Sequence, residues 1–269
     1  MPDKRPARAP RRRAAEPVPG QYPVRFGTAE LLADADRPGG WMLTVDNVPQ
    51  SYVHLDDPTF LDFAYVQRMA DVIDSLVPAG GPVQAVHIGG GACTLPRYVA
   101  ATRPGSRQLV IEADGPLVEL VREQLDLRSV PQLRVRVGDG VSGVGTLRPD
   151  SVDLLVVDAF ESAIMPDGLT GPEFLASANT ALRDSGVYLL NVAAIGGRTI
   201  NRQIVAGVVA AFPYRLALAE SAVLRGKRPG NMVVAGSRSP LPVDAVESRV
   251  ARSPFPALML TGTELDRYV

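Results

Sequence analysis

Val83-Gln84-Ala85-Val86-His87-Ile88-Gly89-Gly90-Gly91-Ala92-Cys93-Thr94 is an apolar run that stops on three consecutive glycines. Val83–Ile88 is short, rich in β-branched residues and bounded by glycine, which predicts a buried strand. The glycines let the backbone turn sharply and come close to a ligand with its amides exposed. A helix over Thr94–Ala101 follows, since Pro96 is tolerated only in a first helical turn. Strand, glycine turn and helix in this order open a nucleotide-binding α/β unit. Counted as Gly-x-Gly-x-x-Gly from Gly89, the stretch has Thr94 where the last glycine belongs, and it lacks the lysine of a phosphate loop. On its own the turn is a weak signal, with tight packing as the alternative.

The same alternation continues downstream. Strands are expected at Gln108–Ile111, Leu133–Val137, Val152–Val157 and Gly186–Val192, with helices at Pro116–Leu125 and Thr199–Ala211. Thr170-Gly171-Pro172-Glu173 has the spacing of a capping box and predicts a helix running to about Leu182. Pro213 ends the last helix, and Tyr214–Leu218 with Met232–Ala235 form a closing strand pair. The fold class is α/β, a mostly parallel sheet of Rossmann type covered by helices on both faces. Ligands of such sheets bind outside the carboxyl ends of the strands.

Upstream, Val24–Leu32 and Trp41–Val45 flank the turn-forming Arg37-Pro38-Gly39-Gly40, and Ser51–Leu55 is a third short strand. Leu61, Tyr65, Met69, Val72, Ile73 and Leu76 then recur at helical spacing until Pro78, Gly80 and Gly81 end the run. Three regions result: a disordered basic tail over 1–20, a small β-hairpin domain over 21–57 and a Rossmann-like nucleotide-binding domain over 58–269. The tail carries Lys4, Arg5, Arg8, Arg11, Arg12 and Arg13 among Pro and Ala, which reads as a solvated, uncommitted segment.

Acids recur just past the strands. Glu112 and Asp114 end the second strand about twenty residues after the glycine turn, where a carboxylate accepts ribose hydroxyls. Asp139, between Gly138 and Gly140 after the third strand, suits an adenine amino group, with a backbone amide beside it to read the ring; an ordinary Asp-Gly turn is the alternative. Asp158 ends the fourth strand with Glu161 a short turn beyond. A carboxylate so placed is partly desolvated, with a raised pKa, and suits a base toward an ammonium nucleophile. An NAD-type site is disfavoured, because no dehydrogenase catalytic set accompanies these acids.

Bulk properties exclude several classes. A net charge of −1 argues against a global nucleic-acid or membrane field. The greasiest stretch, Ile204–Leu224, is interrupted by Pro213 and Arg215, and no apolar core follows the arginines near the start, so the chain reads as cytoplasmic. Cys93 is the single cysteine, and with only His54 and His87 no zinc centre is expected. Cys93 reads as a small loop hydrophobe, His87 as a satisfied core residue and His54 as a candidate to face substrate. Ile164–Gly168 is read either as a lid over the acidic cluster or as a surface loop.

The four segments, in this order and spacing, resemble the spermidine/spermine synthase family, the polyamine aminopropyltransferases. That family shows Gly-Gly-Gly-Asp-Gly-Gly, then Val-Glu-Ile-Asp, then Gly-Asp-Gly or Gly-Asp-Ala, then Asp-Ser-Ser-Asp. The resemblance covers roughly Pro49–Asn191 and includes Asp62-Phe63-Ala64-Tyr65, similar to the family's Glu-Phe-x-Tyr. It implies a class I methyltransferase-like fold preceded by a small β-domain, a homodimer or larger oligomer, and a place in polyamine biosynthesis. It further implies decarboxylated S-adenosylmethionine as co-substrate, no metal, and a small-molecule amine as acceptor. Glu112 would hold the ribose and Asp139 the adenine, with Gly89, Gly90, Gly91 and Gly140 around the nucleotide. Asp158 would be the base, Glu161 would replace the second Asp of the last motif, and Tyr65 would line the transfer site. The chain departs at Ala92, where the family has Asp, and at Val66 and Gln67, where it has His and Glu. Those changes remove polar groups around the sulfonium tail and the diamine while leaving the adenosyl site. A methyltransferase using S-adenosylmethionine itself, or a nucleotide-binding protein without turnover, are the alternatives.

Overall fold

The computed structural model describes residues 16–160, 165–193 and 198–269. Of the basic tail, residues 1–15 lie outside this range, and Gly20 already belongs to the first strand. The chain opens with an antiparallel sheet of β1 (Gly20–Val24), β2 (Gly27–Ala33), β3 (Gly40–Val45) and β4 (Val48–His54), in that order. Two features of this sheet differ from the expectation of three strands. The expected strand Val24–Leu32 is broken at Arg25–Phe26, because the backbone amides of both residues are drawn to the Asp114 carboxylate, at 3.1 and 3.3 Å. The last strand starts earlier than Ser51, because Asp46 and Asn47 both take positive φ, 47° and 64°, and close a tight two-residue hairpin.

The second sheet has eight strands in the order β12-β10-β11-β9-β8-β5-β6-β7. β5 (Gln84–Ile88), β6 (Arg107–Glu112), β7 (Leu133–Val137), β8 (Val152–Val157) and β9 (Leu182–Ala193) run parallel. β10 (Tyr214–Ala219), β11 (Asn231–Ser237) and β12 (Leu258–Thr261) complete it with antiparallel pairings. The expected closing pair is therefore present, joined by a strand that sequence periodicity did not disclose.

Burial on both faces explains the apolar character of β5 and β8. Val86, Ile88, Leu155 and Val157 pack into one helical layer with Phe174, Leu175 and Val205. Ala85, Leu154 and Val156 point the other way, to Met69, Ile73 and Val99. The first layer contains α5 (Pro172–Ala181) and α6 (Arg198–Ala211), and the second contains α1 (Ala64–Ser75) and α2 (Thr94–Thr102). α3 (Gly115–Gln124) packs Leu117, Leu120 and Val121 against Leu31, Trp41 and Leu43 of the small sheet, so the two sheets share a core. The short α4 (Gly140–Gly145) follows β7. Among the described residues the remaining α-helices are α7 (Ser221–Leu224), α8 (Val243–Val250) and α9 (Gly262–Tyr268).

The capping box at Thr170 does not form. α5 starts at Pro172 with Gly171 as its cap residue and no side-chain cap bond, because proline at the first helical position sets φ and needs no partner for an amide it lacks.

Asp114 stitches the two sheets together. It is buried, caps α3 by accepting from Leu117 N at 2.9 Å, and holds the Arg25 and Phe26 amides. Asp114→Ala removes a helix cap and leaves two turn amides without their acceptor, so it is expected to destabilise the fold by about 2 kcal/mol. A lowered urea midpoint at unchanged slope is the readout; a loss under about 0.5 kcal/mol would show that the carboxylate does not carry the junction.

Candidate active site

A cavity of ≈ 660 Å³ opens at the carboxyl ends of β5, β6, β7 and β8 and is roofed by the small sheet. The glycine turn forms its floor. Gly89 has φ +85°, and a Cβ there would run into the backbone carbonyl of Asp158, so only glycine lets β5 and β8 end side by side. Gly91 has φ +48° and sits under Ser51 of β4. Ser51 Oγ accepts from Ala92 N at 3.1 Å and Thr94 Oγ1 donates to Tyr52 O at 3.0 Å, so the turn is fastened to the small sheet. From below, the buried Arg97 donates to Ala92 O at 3.1 Å and to Leu125 O at 2.6 Å.

Glu112 closes the next side. Its Oε2 accepts from Gly90 N at 2.7 Å and its Oε1 from Asp114 N at 2.9 Å. Two amides thus fix a half-buried carboxylate that retains acceptor capacity toward the cavity. Asp139 also lines the cavity, but its Oδ1 caps α4, accepting from both Ser142 N and Ser142 Oγ at 2.7 Å. Those bonds hold its carboxyl below the usual range. Gly140 must lack a side chain, since a Cβ would press on Ile88.

Asp158 stands at the end of β8. Its Oδ2 accepts from the Tyr65 hydroxyl at 3.2 Å and its Oδ1 from Asn191 Nδ2 at 2.9 Å. Burial raises its pKa above the ordinary carboxylate value, partly offset by the bonds from Asn191 and Tyr65. Burial, with the adjacent Asp158 charge, likewise raises the Tyr65 phenol well above its usual value, so Tyr65 stays protonated and donates. Phe63 and Phe160 also line the cavity.

The structure therefore brings Tyr65, Gly89, Gly90, Gly91, Glu112, Asp139, Gly140 and Asp158 to one cavity. Glu161 and Ile164 lie outside the described residues; Pro166 and Gly168 border the cavity. His87 is buried, hydrogen-bonded to Gln108 Oε1 at 3.0 Å and pushed down to about 4 by burial, a satisfied core histidine. Cys93 is buried and its thiol is pushed up to about 12 by burial, which leaves it inert as a nucleophile. His54 does not reach the cavity lining; its Nδ1 accepts from Asp57 N at 3.0 Å. Asn191 and Asn231 were not anticipated, although a carboxamide inside the apolar run of β9 is a signal that a partner awaits it. Among the described residues no group of three or more His, Cys, Asp or Glu could hold a metal, and no helix is long and apolar enough to cross a membrane.

A mostly parallel sheet in this strand order, with acids converging on a glycine turn beneath an N-terminal antiparallel sheet, defines the class: a class I methyltransferase-like α/β chain with an added β-roof. No family model matches the chain. It is 26% identical over 113 residues to the polyamine aminopropyltransferase of Vibrio vulnificus (strain CMCP6), a match spanning 41% of this chain and 38% of that enzyme. The structure superposes on a probable spermidine synthase from Corynebacterium glutamicum ATCC 13032 with a TM-score of 0.85, 28% identity and 94% coverage of both chains. A spermidine synthase solved in complex with the transition state analogue AdoDATO shares the fold, with a TM-score of 0.63, 16% identity, and coverage of 88% of this chain and 79% of that one. The chain is thus similar in fold to spermidine synthases over nearly its whole length, and in sequence to an aminopropyltransferase over less than half of it.

Proposed function

We propose that this protein is a transferase that binds an S-adenosyl sulfonium nucleotide over Gly89–Gly91, Glu112 and Asp139 and transfers an aminopropyl group to a small amine, with Asp158 as the base. The observation that carries the reading is the placement of the Asp158 carboxylate, raised in pKa and held by Tyr65 and Asn191, in the same cavity as the glycine turn and Glu112. The fold likeness to spermidine synthases, one of them holding a transition state analogue, supports it.

The chemistry asks little of covalent catalysis. The amine nitrogen attacks the carbon next to sulfur, the carbon–sulfur bond breaks, and the sulfonium leaves as a neutral thioether. The nitrogen must be deprotonated, and the two substrates must be aligned. Asp158 accepts the ammonium proton, Tyr65 orients the carboxylate, and Glu112 accepts from the ribose hydroxyls. Asp139 faces the adenine beside the first amides of α4. A protein of this kind acts on a small molecule, and we infer a homodimer in the cytoplasm from the family resemblance.

Ala92 favours one second reading. It is buried, and its amide is bonded to Ser51, so no carboxylate stands there for the ammonium of an aminopropyl tail. Methyl transfer from S-adenosylmethionine is the outcome this residue favours.

The test is turnover and calorimetric titration with decarboxylated S-adenosylmethionine and S-adenosylmethionine side by side, each with a panel of amines. Aminopropylated product from the decarboxylated form supports the proposal. Methylated product transfers the assignment to the second reading, and binding of neither nucleotide overturns the adenosyl site. Glu112→Ala is expected to weaken nucleotide binding about 50-fold, since it deletes charged hydrogen bonds worth about 2–3 kcal/mol. Unchanged affinity would remove Glu112 from the ribose site.

A further inference from the structure

Behind Asp158 lies a chain of carboxamides that the proposed chemistry does not yet use. Asn191, on the central strand β9, is buried to 1% exposure. Its Nδ2 donates to Asp158 Oδ1 at 2.9 Å, and its Oδ1 accepts from Asn231 Nδ2 at 3.1 Å. Asn231 is the first residue of β11, which pairs antiparallel with β9. An ionised carboxylate only accepts, so Asp158 sets the direction of the first bond and the Asn231 donor agrees with it. With Asn231 donating, Asn191 presents its NH₂ and not its oxygen to Asp158, because a flipped amide would set oxygen against carboxylate on one side and NH₂ against NH₂ on the other.

Resting on the function proposed above, we propose that Asn191, locked by Asn231, is a positioning residue that holds the Asp158 carboxylate in the orientation in which it meets the acceptor amine. Asp158 has two oxygens and receives one donor on each, Asn191 from β9 and Tyr65 from α1. Two bonds from two separate elements determine the carboxylate plane, so the remaining lone pairs face the cavity. A single bond would leave it free to rotate about χ2.

Titratable groups on the other strands of the sheet do not replace this hold. His87 on the adjacent strand β5 is neutral and bonded to Gln108. Glu112 and Asp139, at the ends of β6 and β7, are engaged by Gly90 and Ser142. Glu220, just past β10, pairs with Arg68 at 3.5 Å and with Arg228. Tyr65 and Asn191 supply the hydrogen bonds that lower the Asp158 carboxyl against the effect of burial.

Asn191→Asp separates positioning from mere strand pairing. The new carboxylate still accepts from Asn231, so the tie between β9 and β11 survives, but the donor to Asp158 becomes a second acceptor. The expected result is a folded protein whose kcat falls about 100-fold, with the nucleotide dissociation constant unchanged within about twofold. The acid limb of its pH–rate profile should move up by at least about one unit, as two facing carboxylates share a proton. Asn191→Leu, which removes the donor without adding charge, should show a smaller upward shift and a comparable loss in kcat. A carboxyl-carbon NMR titration of Asp158, assigned with Asp158→Asn, reads the same shift without substrate.

An unmoved Asp158 titration in folded Asn191→Asp protein overturns the positioning role whatever the reaction is. A moved titration in Asn191→Asp, when the wild-type protein aminopropylates no amine, upholds the hold on Asp158 and instead overturns the transfer reading. Wild-type kcat and pH profile in both Asn191 variants would reduce the carboxamide chain to a structural tie.

Discussion

Asp158→Asn is expected to lower kcat about 10²- to 10⁴-fold while leaving nucleotide affinity unchanged. The substitution keeps shape and most of the bonding: the new amide oxygen accepts from Asn191, and the new NH₂ donates to the Tyr65 hydroxyl oxygen. What it removes, under the mechanism proposed above, is the ability to take a proton from the attacking ammonium. The Asp158 carboxyl titrates above its ordinary value because burial penalises the charge, so the wild-type rate should rise with pH through that raised pKa, and the variant should lose this limb. The same shift has a stability sign. The folded chain holds its proton to higher pH than the unfolded chain, so ionising Asp158 costs stability as pH climbs from about 4 through the folded value, and the cost persists above it. Asp158→Asn should therefore unfold at an equal or higher urea midpoint near pH 8, the difference shrinking below about pH 4. Turnover measured beside calorimetric titration decides the matter. Wild-type turnover would remove Asp158 from the mechanism, and a joint loss of nucleotide binding would mark the effect as structural.

Arg103→Ala should produce the largest loss of stability, about 4 kcal/mol. Arg103 is 1% exposed and follows α2. Its guanidinium donates through Nη1 to Pro78 O at 3.2 Å and Gly81 O at 2.9 Å, and through Nη2 to Ile73 O at 2.6 Å and Leu76 O at 2.9 Å. These carbonyls close the end of α1 and the loop after it, where helical geometry leaves carbonyls short of donors; the Leu76 and Gly81 amides reach only Ile73 O and Pro78 O. Removing the fork strips the donor from Leu76 O and Gly81 O and one of the two donors from Ile73 O and Pro78 O, which keep the Leu76 and Gly81 amides, and α1 is the helix that carries Tyr65 to Asp158. Arg103→Lys should recover only part of the loss, because one ammonium cannot reach four acceptors in the planar arrangement. Urea unfolding at constant slope reports the result, and a loss under about 1 kcal/mol for Arg103→Ala would show that water replaces the guanidinium.

The two experiments rest on parts of the chain that were unequally visible. Asp158 was legible because an acid ending an apolar strand, downstream of a glycine turn, has few other reasons to be there. Arg103 was not, since nothing in Thr102-Arg103-Pro104-Gly105 distinguishes a buried cap from a solvated loop cation. Asn191 was missed for a related reason: its residue type marks it as unusual within β9, but its partners come from positions 158 and 231. The capping box at Thr170 failed in the opposite sense, a local pattern overridden by Pro172 at the helix start.

The sequence by itself determined the alternation of strands and helices, the mostly parallel sheet, and the edge of it where Gly89–Gly91, Glu112, Asp139 and Asp158 line one cavity. These follow from periodicity, glycine conformation and the placement of charge at strand ends, all of which act over a few neighbouring residues. Tertiary structure alone decided how those acids are held: Asp114 reaching back to Arg25 and Phe26, Ser51 fastening the glycine turn, and Asn231 orienting Asn191 behind Asp158. Each of these bonds joins residues 40 or more positions apart. Their donors and acceptors meet only when burial of the shared core brings the strands together, so no local pattern announces them.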